Sequence, residues 1–274
     1  MGGALVVLRG LRRLLGVLLV LLVLAVVTTT LAPAKWLTQM LEDRANGSLV
    51  FSEVQGRWWN GQARLGLAAA GSKAVMLPGT VQWRAEPAAL LSGVLGLIVT
   101  APQLNAEPLS LRIAPVAGGL RVDATAWRAQ IPLVVLQGLG APWNTLGLSG
   151  LMQWAAGPMR YESSASRAGF AAGASGTLTL TEMASLVSPL KPLGSYAINW
   201  QSNDAEVGFT LSTTRGPLLL DARGAVVGSK LRISGTAKAE PNAVSALANL
   251  LGIIGRRQGG VPPAEGGQVS FQFG

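Results

Sequence analysis

The side chains that most often do chemistry in proteins are missing from this sequence. Its 274 residues contain no His and no Cys. That excludes thiolate nucleophiles, disulfides, Cys/His metal sites and any Ser-His-Asp or Cys-His arrangement. A reaction would have to rest on carboxylates, Lys, Tyr or Ser. The nine Glu and four Asp are scattered singly, and their only close pairs are Glu42-Asp43 and Asp204 with Glu206. The second pair has the spacing of one strand face, but Asn203 beside it predicts a solvated turn. There is no G-x-G-x-x-G after a strand, no Walker loop, no HExxH and no EF-hand loop. Gly173-Ala174-Ser175-Gly176 lacks the neighbouring Lys or helix start of a phosphate cradle. Asn46-Gly47-Ser48 matches a glycosylation sequon, yet Asn-Gly reads first as a tight turn. The sequence predicts a protein that is not an enzyme and uses no metal or cofactor.

Trp is the informative residue type, with eight Trp against two Tyr. Trp58-Trp59-Asn60-Gly61 places two indoles at a turn leading into a strand, and Trp83 stands inside a later one. A buried Trp removes ~150–250 Å² from water, which is a strong anchor for strands rich in small residues. Trp59 and Trp83 therefore read as core anchors, with ligand stacking as the alternative. Trp36 and the segment Trp58, Trp59, Asn60 and Gly61 are the candidate interaction or structural motif, together with Trp83.

The elements that must position these residues begin with an apolar segment. Residues 14–31 are 18 consecutive uncharged positions, mostly Leu or Val. As a helix they would span about 27 Å, close to the ~30 Å hydrocarbon core of a bilayer. Arg9, Arg12 and Arg13 precede the run, while only Lys35 and Arg44 follow closely. The positive-inside rule puts residues 1–13 in the cytoplasm and the bulk of the chain across the membrane. A cleaved signal peptide is the competing reading, because Ala32-Pro33-Ala34 fits a small-x-small cleavage pattern. Signal h-regions usually run ~7–15 residues, so a retained anchor is expected. Residues 32–46 then form a short linker helix, on which Trp36, Leu37, Met40 and Leu41 make one stripe. Trp36 stands five residues past the apolar run, where an interfacial aromatic is expected.

Three of the charges behind the net +9 thus orient the anchor, and the remaining 19 Lys and Arg are spread against 13 acidic residues. Without a basic cluster interleaved with aromatics, a nucleic-acid surface is not indicated.

Beyond residue 46 the dominant pattern has period 2. It appears around Ala63 to Ala69, Val81 to Ala85, Leu109 to Ile113 and Leu120 to Ala126. It returns at Thr177 to Thr181, Tyr196 to Trp200, Val207 to Leu211, Leu231 to Lys238 and Val269 to Phe273. One apolar and one polar face per segment predict half-buried antiparallel strands. Short helices are expected after Glu86-Pro87, at Pro132 to Leu136 and at Pro241 to Gly252, the last with Val244, Leu247, Leu250 and Leu251 on one side. Gly255 to Gly267 reads as a flexible loop. The expected architecture is mainly β: an N-terminal transmembrane helix, then one large antiparallel domain over 47–274, curved or sandwich-like, with few short helices. A transmembrane barrel would share the alternation but calls for paired aromatic girdles that are missing here.

Val54-Gln55-Gly56-Arg57-Trp58-Trp59-Asn60-Gly61 resembles the G-x-v-W-n-G signature of the type II (general) secretion pathway protein N family. The resemblance continues in order through Val81-Gln82-Trp83, Pro87, Leu90-Leu91-Ser92-Gly93, Ile131-Pro132-Leu133 and Pro192-Leu193-Gly194-Ser195-Tyr196. It ends with Gly216-Pro217-Leu218, Arg232-Ile233-Ser234-Gly235 and Leu250-Leu251-Gly252. It implies a single-pass inner-membrane subunit of the type II secretion apparatus of a Gram-negative bacterium, with its β domain in the periplasm. The implied partners are other secretion subunits and the inner membrane, and the family pattern carries no catalytic residues. A more distant similarity, of architecture rather than motif, links the family to AsmA-like envelope proteins. It implies lipid as an alternative ligand, held on an apolar sheet face by residues such as Leu65, Leu67, Val81 and Trp83.

Overall fold

The computed structural model describes residues 31–69, 73–164, 168–204, 206–228, 230–256 and 268–273, with isolated positions 16, 19 and 20 before them. The anchor expected over 14–31 and the cytoplasmic segment 1–13 lie almost wholly outside the described residues. So does most of the loop expected over 255–267. Among the described residues no helix is long and apolar enough to cross a membrane.

The rest of the chain is mainly β, in two antiparallel sheets. The first contains β1 (Leu49–Arg57), β2 (Asn60–Leu67), β3 (Val75–Met76), β4 (Val81–Glu86), β5 (Leu95–Thr100), β6 (Leu109–Val116) and β7 (Gly119–Ala124). After β8 (Trp127–Pro132) and β9 (Ser149–Ala156) the chain returns to it with β10 (Met159–Ser163) and β11 (Ala168–Phe170). Its order is β1-β2-β4-β5-β6-β7-β10-β11, with β3 beside β2. The second sheet adds β12 (Ser175–Ala184), β13 (Gly194–Ser202), β14 (Val207–Arg215), β15 (Leu218–Val227), β16 (Lys230–Ala239) and β17 (Gln268–Phe273). Its order is β17-β16-β15-β14-β13-β12-β9-β8.

Every segment with period-2 alternation is a strand. Those without it were invisible to the pattern: β1, β3, β5, β8 to β11 and β15. Strand β5 reads as a continuous apolar run because neither of its faces is fully solvated: Gly96 is buried against Glu86 and Ala89, and its other residues are half-buried. In β15 the alternation is broken by Leu219, which is exposed on the polar face. The expected helices are present as Ala34–Arg44, Pro87–Leu90, the 3₁₀ segment Leu133–Leu139 and Val244–Arg256. Asn46 and Gly47 do form a turn, both at positive φ, closed by Ser48 N–H donating to Ala45 O at 2.9 Å.

The sheets are joined at two places. Strand β8 and the 3₁₀ segment after it cross the ends of the first sheet's strands. There Glu107 N–H donates to Arg128 O at 2.9 Å, and Ile131 and Val135 pack on Leu65, Leu67, Leu77, Val81 and Leu104. Gly138 makes the close approach possible, since a Cβ on it would lie 2.1 Å from Leu67 O. At the far edge Phe170 lies between Tyr161, edge-on at 5.3 Å, and Trp200 of the second sheet, tilted at 6.1 Å.

The main core sits on the second sheet. Ala222, Ala237 and Ala239 form a shallow floor of small side chains, onto which the helix Val244–Arg256 lowers Leu247, Leu250 and Leu251. Leu247 and Leu251 are completely buried. Beside this cluster Tyr196 is fully buried, with its hydroxyl donating to Leu218 O at 3.1 Å.

Burial raises the Tyr196 phenol well above its ordinary value of 10.0. The native state therefore holds a proton that the unfolded chain releases as pH rises past 10. The contribution is complete below that pH and is lost between it and the raised native value. Unfolding midpoints in urea at pH 9 and pH 11 should show a larger alkaline loss for the parent chain than for Tyr196→Phe. Equal losses would show that Tyr196 titrates normally.

Candidate interaction site

The hairpin of β1 and β2 carries the Trp-Trp-Asn-Gly segment, and two glycines shape it. Gly56 has φ +88, and a Cβ on it would fall 2.5 Å from Asn60 O. Gly61 underlies the Trp83 indole: its Cβ would stand 2.7 Å from Trp83 Cζ2 and 2.8 Å from Gln55 O. Trp83 Nε1 donates to Trp58 O at 2.9 Å, which ties β4 to the turn. The indole then packs among Ala34, Leu37, Phe51, Val54, Ala63 and Val99. Trp83 is thus a core anchor. Trp58 and Trp59 form the turn itself and are half-buried, so Trp59 is not the core anchor expected from the area an indole can bury. Arg57 lies over the Trp59 ring, 5.8 Å from its centroid, within cation–π range.

Asn60 is exposed and pairs in register with Arg84. A shallow concavity of about 310 Å³ opens beside it, lined by Gln55, Gly56, Asn60, Gly61, Gln62 and Gln82. Its side chains are amides, with Gln62 Nε2 donating to Gln55 Oε1 at 3.1 Å. Uncharged amides suit hydrogen bonding to a polypeptide partner rather than proton transfer.

Trp36 stands in the first turn of the helix Ala34–Arg44 and is 65% exposed. The same helix buries Ala34 and Thr38 and packs Leu37 on the first sheet. Trp36 therefore lies on its outer face with Met40. The helix also guards the outer edge of β1, where Glu42 accepts from Phe51 N–H and a register shift interrupts the strand between Ser52 and Gln55. Such interruptions discourage pairing with a foreign strand.

The structure thus brings Trp58, Trp59, Asn60, Gly61 and Trp83 together and leaves Trp36 nearby, on the outer face of the helix Ala34–Arg44. Leu65, Leu67, Val81 and Trp83 do not line a groove. The first three pack around the Leu77–Val135 cluster, and Trp83 lies under the helix. Asp204 and Glu206 lie at the solvated turn, where Asp204 Oδ1 accepts from Ala172 N–H and Asn203 Oδ1 from Glu206 N–H.

Sequence reasoning missed a half-exposed apolar face in the first sheet, on which register aligns Val99 with Leu109, Leu97 with Leu111 and Ile113 with Val122. The available signal was β5 itself, a strand whose neighbourhood from 87 to 100 contains no charge. Among the described residues no three acidic side chains gather where a metal could bind.

Fold and site together describe an antiparallel two-sheet β protein that presents indoles, amides and apolar side chains at its surface. The family model of type II secretion system (T2SS) protein N matches residues 48–262, and the chain belongs to that family. It is accordingly a component of the type II secretion system, in agreement with the resemblance carried by residues 54–61. Comparison with curated proteins and with solved structures gives no match.

Proposed function

We propose that the protein is a non-catalytic inner-membrane subunit of the type II secretion apparatus, which helps to assemble or stabilise the machinery exporting folded proteins across the outer membrane. Residues 14–31 anchor it as a single pass, and the β domain works in the periplasm against other subunits. The observation that carries this reading is the family match across residues 48–262. The turn Trp58–Gly61, with its amide-lined concavity, and the exposed Trp36 are the contact surfaces. Photo-crosslinkers placed at Trp36 and Trp59 in cells should each capture another secretion subunit, and deleting the gene should reduce exoprotein export. Intact export together with no crosslinked subunit would overturn the proposal.

Lipid handling is a second reading, favoured by the half-exposed apolar face of β5, β6 and β7. The face continues through Tyr161 and Phe170 to Trp200. Filled clusters elsewhere and the packing of Leu65, Leu67 and Val81 weigh against a continuous channel. Native mass spectrometry of the full chain decides it: retained phospholipid supports this reading, and a lipid-free chain removes it.

A further inference from the structure

The first sheet has two ends, and they differ in chemistry. Pairing registers bring the connections 58–59, 87–94 and 117–118 to one end, where β10 also finishes at Ser163 opposite Leu120. The chain also arrives there: Trp58 N–H donates to Ala32 O at 3.2 Å, and Pro33 bridges to Arg57. Leu31, the last residue of the apolar segment 14–31, is therefore one residue from this end.

Large apolar side chains stand in water along it. Leu91 is 93% exposed, Trp36 65%, Leu31 57%, Leu90 51% and Leu120 48%. At the opposite end the connections 45–48, 101–108 and 125–126 carry no exposed large apolar side chain. Two of the apolar end's connecting segments, 87–100 and 113–120, contain no charged residue. Its exposed charges include Lys35 and Arg57, the latter laid over Trp59. Uncharged turns with projecting Leu, flanked by Trp and long cationic side chains, are what the interfacial zone of a bilayer accepts.

We infer that this end of the first sheet is a membrane-docking rim, with Leu90, Leu91 and Leu120 entering the lipid interface beside Trp36. The occupant is the bilayer because the 18-residue apolar segment 14–31 leads directly into the rim. That part of the argument rests on the anchor reading of residues 14–31. The rim converts a tether into an orientation: the strands stand on the membrane with the opposite end of the sheet directed away from it.

The chain has no native Cys, so single-cysteine probes can be placed cleanly. Full-length Leu91→Cys, Leu120→Cys, Asn46→Cys and Leu19→Cys would each carry a nitroxide, in nanodiscs of phosphatidylethanolamine and phosphatidylglycerol. Power saturation then compares access of oxygen with access of a water-soluble nickel complex. At positions 91 and 120 oxygen access should dominate and nickel access should be lost, with the reverse at 46. Nickel access at 91 equal to that at 46 overturns the rim, as does shielding from both reagents, which would mean a protein partner. Position 19 reports the anchor separately. A lipid-exposed 19 with a water-exposed 91 leaves the anchor and removes the rim, and a water-exposed 19 with a lipid-exposed 91 does the opposite.

Discussion

Replacing Trp83 by alanine should cost the protein about 3–5 kcal/mol of stability, the usual range for truncating a buried aromatic side chain. The indole is 8% exposed and fills the space between the helix Ala34–Arg44 and the first sheet. Its loss leaves a cavity and removes the hydrogen bond to Trp58 O that fixes the turn. Urea unfolding of the full chain in detergent should show a lower midpoint, and the surrounding helix and hairpin should exchange amide hydrogens faster. Gly61→Ala supplies the matching test from the other side. Its methyl group would meet Trp83 Cζ2 at 2.7 Å, but also Gln55 O at 2.8 Å and Arg57 O at 2.9 Å. The Trp83→Ala background should therefore relieve the glycine variant only in part, giving a measurable coupling in the double-mutant cycle. Strict additivity, or a loss below about 1 kcal/mol for Trp83→Ala, would make the tryptophan dispensable to the hairpin.

Leu247→Ala should destabilise the second sheet by a comparable amount, about 2–5 kcal/mol. Leu247 is fully buried, and the alanine floor beneath it cannot expand to fill the vacancy. Leu247→Asp should be worse, because an unpaired carboxylate would stand on an apolar floor. Hydrogen exchange should speed up first in β15, β16, β17 and the helix Val244–Arg256. Exchange around Trp83 should change little, since the two clusters share no residue. A uniform acceleration in both sheets would mean that the molecule unfolds as one cooperative unit.

Both predictions concern residues already visible in the sequence, though for different reasons. Leu247 belongs to a helical stripe with Val244, Leu250 and Leu251, and all four are in the observed cluster. Trp83 follows from strand alternation and the burial value of an indole. Trp59 shares that value but sits in a two-residue turn, where the backbone rather than hydrophobicity sets exposure. The unforeseen strands β5, β9 and β15 lack clean alternation because coverage on their two faces is not simply one dry and one wet.

The candidate site was legible as a motif but not as an arrangement. Gly56 and Gly61 can be read as turn residues, yet nothing local says that Gly61 makes room for an indole 22 positions later. That depends on β2 pairing with β4, which aligns Gly61 with Trp83. The docking rim is legible only through register as well. Leu31, Leu91 and Leu120 are far apart in the chain, and each alone would be an ordinary exposed leucine.

By itself the sequence determined what is local: absence of His and Cys, an uncharged run before residue 32, period-2 strands, the stripe on the last long helix and the family signature. Tertiary structure decided which faces are covered. It closed Leu65, Leu67 and Val81 into a cluster, left the face of β5 to β7 half open and gathered distant leucines at one end. The physical reason is that alternation records only that a strand has an apolar side. What lies against that side is fixed by strand order, register and the crossing of two sheets, which are properties of the whole chain.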